Sequence, residues 1–492
     1  MKKFLNLFIV SSVLFFASCD DSLLEPFTPG ALTEDLAVRT PADLSRLANS
    51  MYVVLSDRSD VEFTSVFTDE VSIGTNNGGQ GIGDNYAFIL NPSSDSPNGI
   101  WTAASVLLAR ANKVIVNADR LLLSPALTAA QVTQVSILKA EALVCRAFAH
   151  TRMIGYFSPD PKNDNSLGGI LALAEVPIDG KLPRSTNGAI YTAIHLDLNN
   201  AITLFGAAAF NPTRANRIAA IALKARAYAL KGDYPNALTQ ANLVIASGSA
   251  TLSTAAAYPA VFADATSGET IFKIARTINQ SSQGSNLGNV YASVDATVNG
   301  SPFYEINRAL FNAYPTGDVR RTVNLNPTSL VDPNYLTSSN YRASDVLCVG
   351  KHAGASARGL LNADFKLIRM SEMYLIKAEA EVASSQLLVA ANTLKFLLDR
   401  RYSTPQVAPV FATNQDGWSY ILNQRRIEFS FEGYRYIDLK RLGALAGASI
   451  DRHPLDCTPA NSTLPITDYR FAMPIPTNEI NPNPTIQQNP GY

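Results

Sequence analysis

Four cysteines, four histidines and two tryptophans in 492 residues leave little material for several kinds of chemistry. If Cys19 is set aside, Cys145, Cys348 and Cys457 remain, an odd number with no CxxC spacing, which supports neither a disulfide framework nor a zinc site. A Cys348–Cys457 pair is left open, and Cys145, in step with Ala142 and Ala149, reads as a small buried hydrophobe. His150, His195, His352 and His453 are scattered without HxH or HExxH spacing, so no metal is expected. There is no Walker A sequence and no GxSxG elbow, and Gly79, Gly81 and Gly83 fail the dinucleotide fingerprint. Charge is also scant: 40 basic against 41 acidic residues give a net charge of -1, which excludes the usual nucleic-acid binder. After the first residues no run of eighteen apolar residues occurs, so no later membrane span is expected.

What the chain does have begins at its N-terminus. Lys2 and Lys3 precede a largely apolar stretch from Leu7 to Phe16, then Ala17, Ser18 and Cys19. The apolar core is too short for a permanent span and reads as a signal peptide over residues 1–18. A cysteine straight after the small pair resembles a bacterial lipobox, with Phe16 where leucine is usual. In that reading Cys19 carries a diacylglycerol and residues 19–30 are a polar tether. Loss of Met1 to Ser18 removes two lysines and no acid, leaving a net charge of -3.

The remaining pattern is helical and paired. Ile218, Ile221, Ala222, Ala225, Tyr228 and Ala229 mark one helix face up to Gly232; Asp233 and Tyr234 then open a second helix carrying Ala237, Ala241, Val244 and Ile245. Small residues on both faces permit close approach, as in a tetratricopeptide repeat hairpin, whose apolar face needs a neighbouring hairpin to cover it. Further helices are expected at Trp101–Leu122, Val135–Ile154, Ala189–Leu204, Lys366–Val382 and Leu387–Arg400. The fold expected is mainly α: a degenerate tetratricopeptide-like superhelix with long irregular loops and a few short strands, one of them within Val261–Thr277. Residues 31–492 read as one domain, with helix pairs over about 101–157, 189–247 and 366–443 and irregular excursions over about 60–100 and 248–363. Trp101 and Trp418 read as packing residues.

The excursions are rich in Gly, Ser, Asn and Pro, and Gly74 to Gly83 alone holds five glycines, two asparagines and a glutamine. Their aromatics (Tyr86, Tyr291, Phe303, Tyr304, Tyr335 and Tyr341) argue for order, and the excursions read as a second, irregular face on the helical scaffold. Amide-rich loops suit a polar ligand, since Asn and Gln offer donors and acceptors together. The candidate ligand-binding residues are Asn76, Asn77, Asn85, Tyr86, Tyr291 and Tyr304.

Five segments in order carry a family resemblance. They are Lys139–Phe157 (KAEALVCRAFAHTRMIGYF), the Ile218–Ile245 hairpin, Phe365–Ala380 (FKLIRMSEMYLIKAEA, read as a helix), Ile421–Arg441 (ILNQRRIEFSFEGYRYIDLKR, with Gln424 where glutamate is common) and the tail Pro474–Tyr492 (PIPTNEINPNPTIQQNPGY). With the lipobox, they resemble the SusD/RagB family of outer-membrane nutrient-binding lipoproteins. Within these motifs Arg425 and Glu428, and Arg435 and Asp438, stand three apart, as ion pairs on one helix face would. Neighbouring arginines would also keep Glu428 and Glu432 ionised, which argues against acid/base catalysis by that pair.

The resemblance implies a binder, not an enzyme: no catalytic residue, no cofactor (a structural calcium in the loops left open), and capture of oligosaccharide for a SusC-like TonB-dependent transporter. It also implies a lipid-anchored place on the outer membrane, facing the cell exterior. A RagB-like peptide binder is the alternative within the family. A surface glycoside hydrolase and a purely structural repeat adaptor are the rivals from other classes.

Overall fold

The computed structural model describes residues 37–177, 179–280 and 286–492; Cys19, the signal peptide and the tether lie outside the described residues. The fold is mainly α-helical with a few short strands. The principal helices are α1 (Pro41–Leu55), α2 (Ser59–Phe67), α3 (Asp95–Leu122), α4 (Ala129–Phe157), α5 (Asn187–Phe205), α6 (Arg217–Lys231), α7 (Tyr234–Ala246), α8 (Met370–Ala383), α9 (Leu387–Leu398), α10 (Asn414–Glu428) and α11 (Arg435–Ala446).

Local signals explain where these helices begin and end. Reciprocal capping boxes start α1 (Thr40 with Asp43), α4 (Thr128 with Gln131) and α10 (Thr413 with Asp416). Gly232, at φ 81°, closes α6 in the left-handed conformation, and Asp233 then accepts from the Asn236 N–H to start α7. The expected hairpin is therefore present, and its small residues Ala222, Ala225, Ala237 and Ala241 are fully buried.

Each helix packs on the next: α3 on α4, α4 on α5, α5 on α6 and α6 on α7. The chain then leaves the scaffold for more than a hundred residues, yet α7 packs directly on α8, and α8 on both α9 and α10. The stack is thus continuous in space although broken in sequence, because each hairpin's apolar face is covered by the next wherever that lies in the chain. Among the described residues α3 alone has the length and hydropathy of a membrane span. It is a core helix here, with its apolar stripe against α1 and α4.

Two short antiparallel ladders tie the excursions down. β1 (Val71–Ile73) pairs with β3 (Tyr304–Ile306), and β2 (Thr270–Ile274) with β4 (Phe365–Arg369). The strand expected within Val261–Thr277 is β2, whereas Tyr258–Phe262 is a helical turn. Phe365–Ala380, expected to be helical throughout, is instead strand up to Arg369 and helix from Met370. Arg369 is extended (φ -122°, ψ 155°) because β2 supplies a strand partner for this segment.

The tryptophans are core residues, as expected. Trp101 meets Phe157 edge to face at 4.9 Å and donates to Glu479 of the C-terminal tail at 3.0 Å, while Trp418 packs on Tyr234. The tail, irregular apart from a helical turn at Thr477–Ile480, is held to the scaffold: Asn489 donates to the Phe157 and Met473 carbonyls and accepts from Arg184. Cys145, Cys348 and Cys457 are free thiols, so the pair left open is not formed here.

The signature around α10 and α11 is a buried ion network, but not the one its spacing suggests. Glu428 accepts from Arg369 at 2.7 Å, from Arg401 at 2.8 and 2.9 Å and from Arg320 at 3.3 Å; Arg435 grips Asp69 with two bonds of 2.8 Å; Arg425 reaches Asp438 at 2.8 Å. The expected Arg425–Glu428 and Arg435–Asp438 pairs are replaced by these. The helix faces concerned are buried, so Arg425, Glu428 and Arg435 find counter-ions on packed neighbours, while Asp438 also takes Arg441 one turn along α11 at 2.9 Å. Burial works against the charge on Glu428, yet Arg401 and Arg369 hold its pKa well below the usual range; Arg369 and Lys351 lower that of Glu432 against the same burial. Neither carboxyl has a proton to give near neutrality.

Candidate ligand-binding face

The irregular side rests on its own small core, made of Val66, Val71, Tyr86, Tyr291, Tyr304, Ile306, Phe311 and Phe431 among others. Three of the six residues selected from the sequence belong to it. Tyr86, Tyr291 and Tyr304 are 3%, 2% and 4% exposed, and their hydroxyls are bonded to the Asp456 carbonyl, Ser65 Oγ and the Gln80 carbonyl. Their rings are buried in this small core. Asn77 is buried too, its amide donating to the Phe303 carbonyl, and half-buried Asn85 donates to Ser96. Asn76 is exposed. These residues build the floor beneath the glycine-rich loop: Gly81 (φ 66°) lies so close over the Tyr304 hydroxyl that a Cβ would collide with it.

What this floor carries is a half-exposed aromatic patch. Tyr335 lies 6.2 Å from Tyr341 and 5.4 Å from His453, centroid to centroid, and the Arg308 guanidinium covers the Tyr335 ring at 3.8 Å. Asn312, exposed, donates to the Tyr335 hydroxyl at 3.0 Å. The Tyr341 hydroxyl donates to Asp456 at 2.5 Å, and Arg342 donates to the Ile73 carbonyl, fixing this segment to β1 and the glycine-rich loop. Leu336 and Leu455, 68% and 41% exposed, extend the apolar surface. Ring faces flanked by amides and guanidinium groups match a ligand with flat apolar faces and a rim of hydroxyls.

Sequence reasoning named Tyr335 and Tyr341 as loop aromatics without selecting them, and passed over His453 and Arg308. The turn-forming runs Asp332-Pro333-Asn334 before Tyr335 and Ser338-Ser339-Asn340 before Tyr341 place these tyrosines in loops but do not single them out, since Gly83-Asp84-Asn85 precedes buried Tyr86.

A buried carboxyl lies under the patch. Glu305 accepts from the Thr75 N–H at 3.0 Å and the Leu347 N–H at 3.3 Å. Burial pushes its pKa up to about 7, against the pull of those two bonds. Glu70, bonded to Ser65 and the Phe431 N–H, is likewise raised to about 7 by burial. The folded chain holds both protons more tightly than the unfolded chain, so stability rises as pH falls from about 7 towards the ordinary 4.5. His150, His195 and His352, lowered by burial to about 3, 4 and 3, pull the other way because the unfolded chain protonates them first below about 6.5, so the effect of one carboxyl is read as a difference between variant and parent. Glu305→Gln should raise the thermal midpoint relative to the parent at about pH 8, with the difference shrinking towards about pH 5, and a scanning-calorimetry series over pH would check this.

Comparison with known proteins places this geometry. Residues 340–492 match the family model described as the SusD family, and residues 33–229 match one described as starch-binding associating with outer membrane. The chain belongs to the SusD/RagB family. A SusD-like protein P2 from Formosa agariphila is 25% identical and aligns over all of both chains. Among solved structures, a candidate sugar-binding protein from Bacteroides vulgatus superposes with a TM-score of 0.76 at 25% identity, covering 93% of this chain and 99% of that one. A SusD superfamily protein from Bacteroides thetaiotaomicron gives 0.77 at 23% identity, covering 92% and 100%, and speaks to the fold alone. In SusD terms, the two matched regions take in most of the helical stack, and residues 340–492 also take in Tyr341 and His453 of the aromatic patch.

Proposed function

We propose that this chain is a lipid-anchored, outward-facing outer-membrane protein that captures oligosaccharide without cleaving it and passes it to a SusC-like TonB-dependent barrel. The observation that carries the reading is the pair of family matches, one of them described as starch-binding and associating with the outer membrane. The lipobox at Cys19 supports the anchor. The patch of Tyr335, Tyr341 and His453, with Arg308 and Asn312 at its edge, is the proposed docking face, with Asn76 on the adjoining loop.

The chemistry on that face supports binding over turnover. Carboxylates near the patch are tied into the scaffold: Asp345 accepts from Arg308 and from the Asp332 N–H through one oxygen, the other being buried without a partner, and Asp456 accepts from Tyr341 and the Arg308 N–H. Glycoside hydrolysis requires an acid and a base on either side of an open position, and Asp345 and Asp456 are instead held by Arg308 and Tyr341.

Calorimetric titration with a panel of oligosaccharides tests the reading. Saturable binding without release of shorter products is expected, weakened about tenfold or more by Tyr335→Ala, consistent with roughly 1–3 kcal/mol for a stacked ring. Binding to peptides alone would move the chain to the peptide branch, and hydrolysis would refute the proposal. Cys19→Ala should shift the protein from the membrane fraction to the soluble fraction.

A further inference from the structure

The helical scaffold contains a cavity of about 130 Å³ between α4, α6, α11, β4 and the α1–α2 junction. An engineered cavity of about 150 Å³ accommodates a benzene ring, so this space takes a six-membered ring only with the ring's substituents at its open mouth. Phe148, Leu223, Leu230 and Ile437 supply apolar wall, and Asp60 and Arg152 supply the polar groups that matter.

Arg152 is the unusual member. It is 8% exposed; its Nη2 is ion-paired with Asp60 at 3.0 Å without the alignment of a hydrogen bond, and its Nε has no hydrogen-bond partner. Arg226, on the same wall, is by contrast fully used: it donates to both Glu372 oxygens, the Leu367 carbonyl and the Tyr434 hydroxyl. Buried guanidinium donors left open in a cavity wall are rare in native proteins and point to a missing partner.

The pairing of charges narrows what that partner is. A hydroxyl accepts from a guanidinium and donates to a carboxylate, so it serves Arg152 and Asp60 together. An anionic ligand would meet Asp57 and Asp60, and a cationic one would meet Arg152. We propose that this cavity is a second binding site, separate from the exposed aromatic patch, that takes a single neutral sugar ring. One ring face rests on Leu223, Leu230 and Ile437, and hydroxyls at the rim join Arg152 to Asp60.

Titration of the detergent-solubilised full chain with glucose, galactose, mannose, xylose, fucose and N-acetylglucosamine, one at a time, tests the site. The readout is the methyl resonances of Leu223, Leu230 and Ile437 together with calorimetry. At least one sugar should shift those methyls saturably with a dissociation constant of about 1 mM or tighter. The affinity should fall at least tenfold in Ile437→Trp, which fills the space, or in Arg152→Lys, which keeps the Asp60 pair but removes the guanidinium donors. Tyr335→Ala should leave it unchanged. No methyl shift with any of the six sugars overturns the proposal, as does affinity retained in both cavity variants or lost in Tyr335→Ala. Oligosaccharide binding that survives Ile437→Trp and fails in Tyr335→Ala would leave the surface reading standing whatever happens at the cavity.

Discussion

Glu428→Ala is expected to lower the unfolding free energy by about 3–5 kcal/mol, the range for removing one partner from a buried ionic group. Glu428 has no exposed surface, and its two oxygens receive bonds from Arg320, Arg369 and Arg401. Without the carboxylate, these guanidiniums keep only Asp318, Glu269 and Glu432 as acidic partners in a region water does not reach. Three cations would then be held close together with one negative charge fewer between them. Glu428→Gln keeps the shape but not the charge, and should recover only part of the loss. The exposed pair Arg46–Asp43 is the control: Arg46→Ala should cost less than about 1 kcal/mol. Urea titration followed by circular dichroism measures all three. A loss below about 1 kcal/mol in Glu428→Ala would mean that the network is not a source of stability.

The same network shows where a sequence is legible and where it is not. Helix hairpins could be read because apolar period, caps and terminal glycines are local: the Gly232-Asp233 junction is written into adjacent residues, and it formed as read. The presence of buried, ionised acids could be read too, from the density of arginine beside glutamate. Their partners could not, because Arg435 and Asp69 are 366 residues apart and only packing brings them together. The Phe365–Arg369 strand was hidden for a related reason. Its strand character comes from pairing with β2, nearly a hundred residues earlier, while the motif that runs through it continues into a true helix.

At the binding face the difficulty was of another kind. Tyrosine suits a buried site with one hydrogen-bond partner as well as a wet surface, so composition cannot sort Tyr86, Tyr291 and Tyr304 from Tyr335 and Tyr341. Context sorts them in part. Tyr304 lies in a strand, but Tyr86 follows the turn-forming run Gly83-Asp84-Asn85 just as Tyr335 and Tyr341 follow theirs, and its burial against Arg452 comes from packing.

Arg452→Ala is the substitution expected to damage scaffold and binding face together. The side chain donates to the Val66, Phe67 and Thr68 carbonyls at the C-terminal end of α2, and to those of Tyr86 and Asn461. These are carbonyls that a helix end leaves without partners, met here by a cation where the helix dipole is negative. The guanidinium also lies 4.1 Å from the Tyr86 ring centroid and 4.3 Å from that of Phe88. Burial lowers its pKa to about 10, so it remains charged at neutral pH although no carboxylate touches it. Alanine would strip the partner from five buried or half-buried carbonyls and open space between two rings, for an expected loss of about 3–5 kcal/mol. Arg452→Lys should recover little, since an ammonium has three donors on one point and cannot span carbonyls placed around a planar fork. Hydrogen exchange adds a spatial readout: protection should fall at the end of α2 and around Tyr86, while α6 and α7 stay protected. Because Tyr86 bonds the Asp456 carbonyl, and Asp456 in turn receives the Tyr341 hydroxyl, ligand affinity at the aromatic patch should fall in the same variant. A variant that lost stability uniformly, with lysine restoring it, would show that only the positive charge mattered and that the five-carbonyl clamp did not.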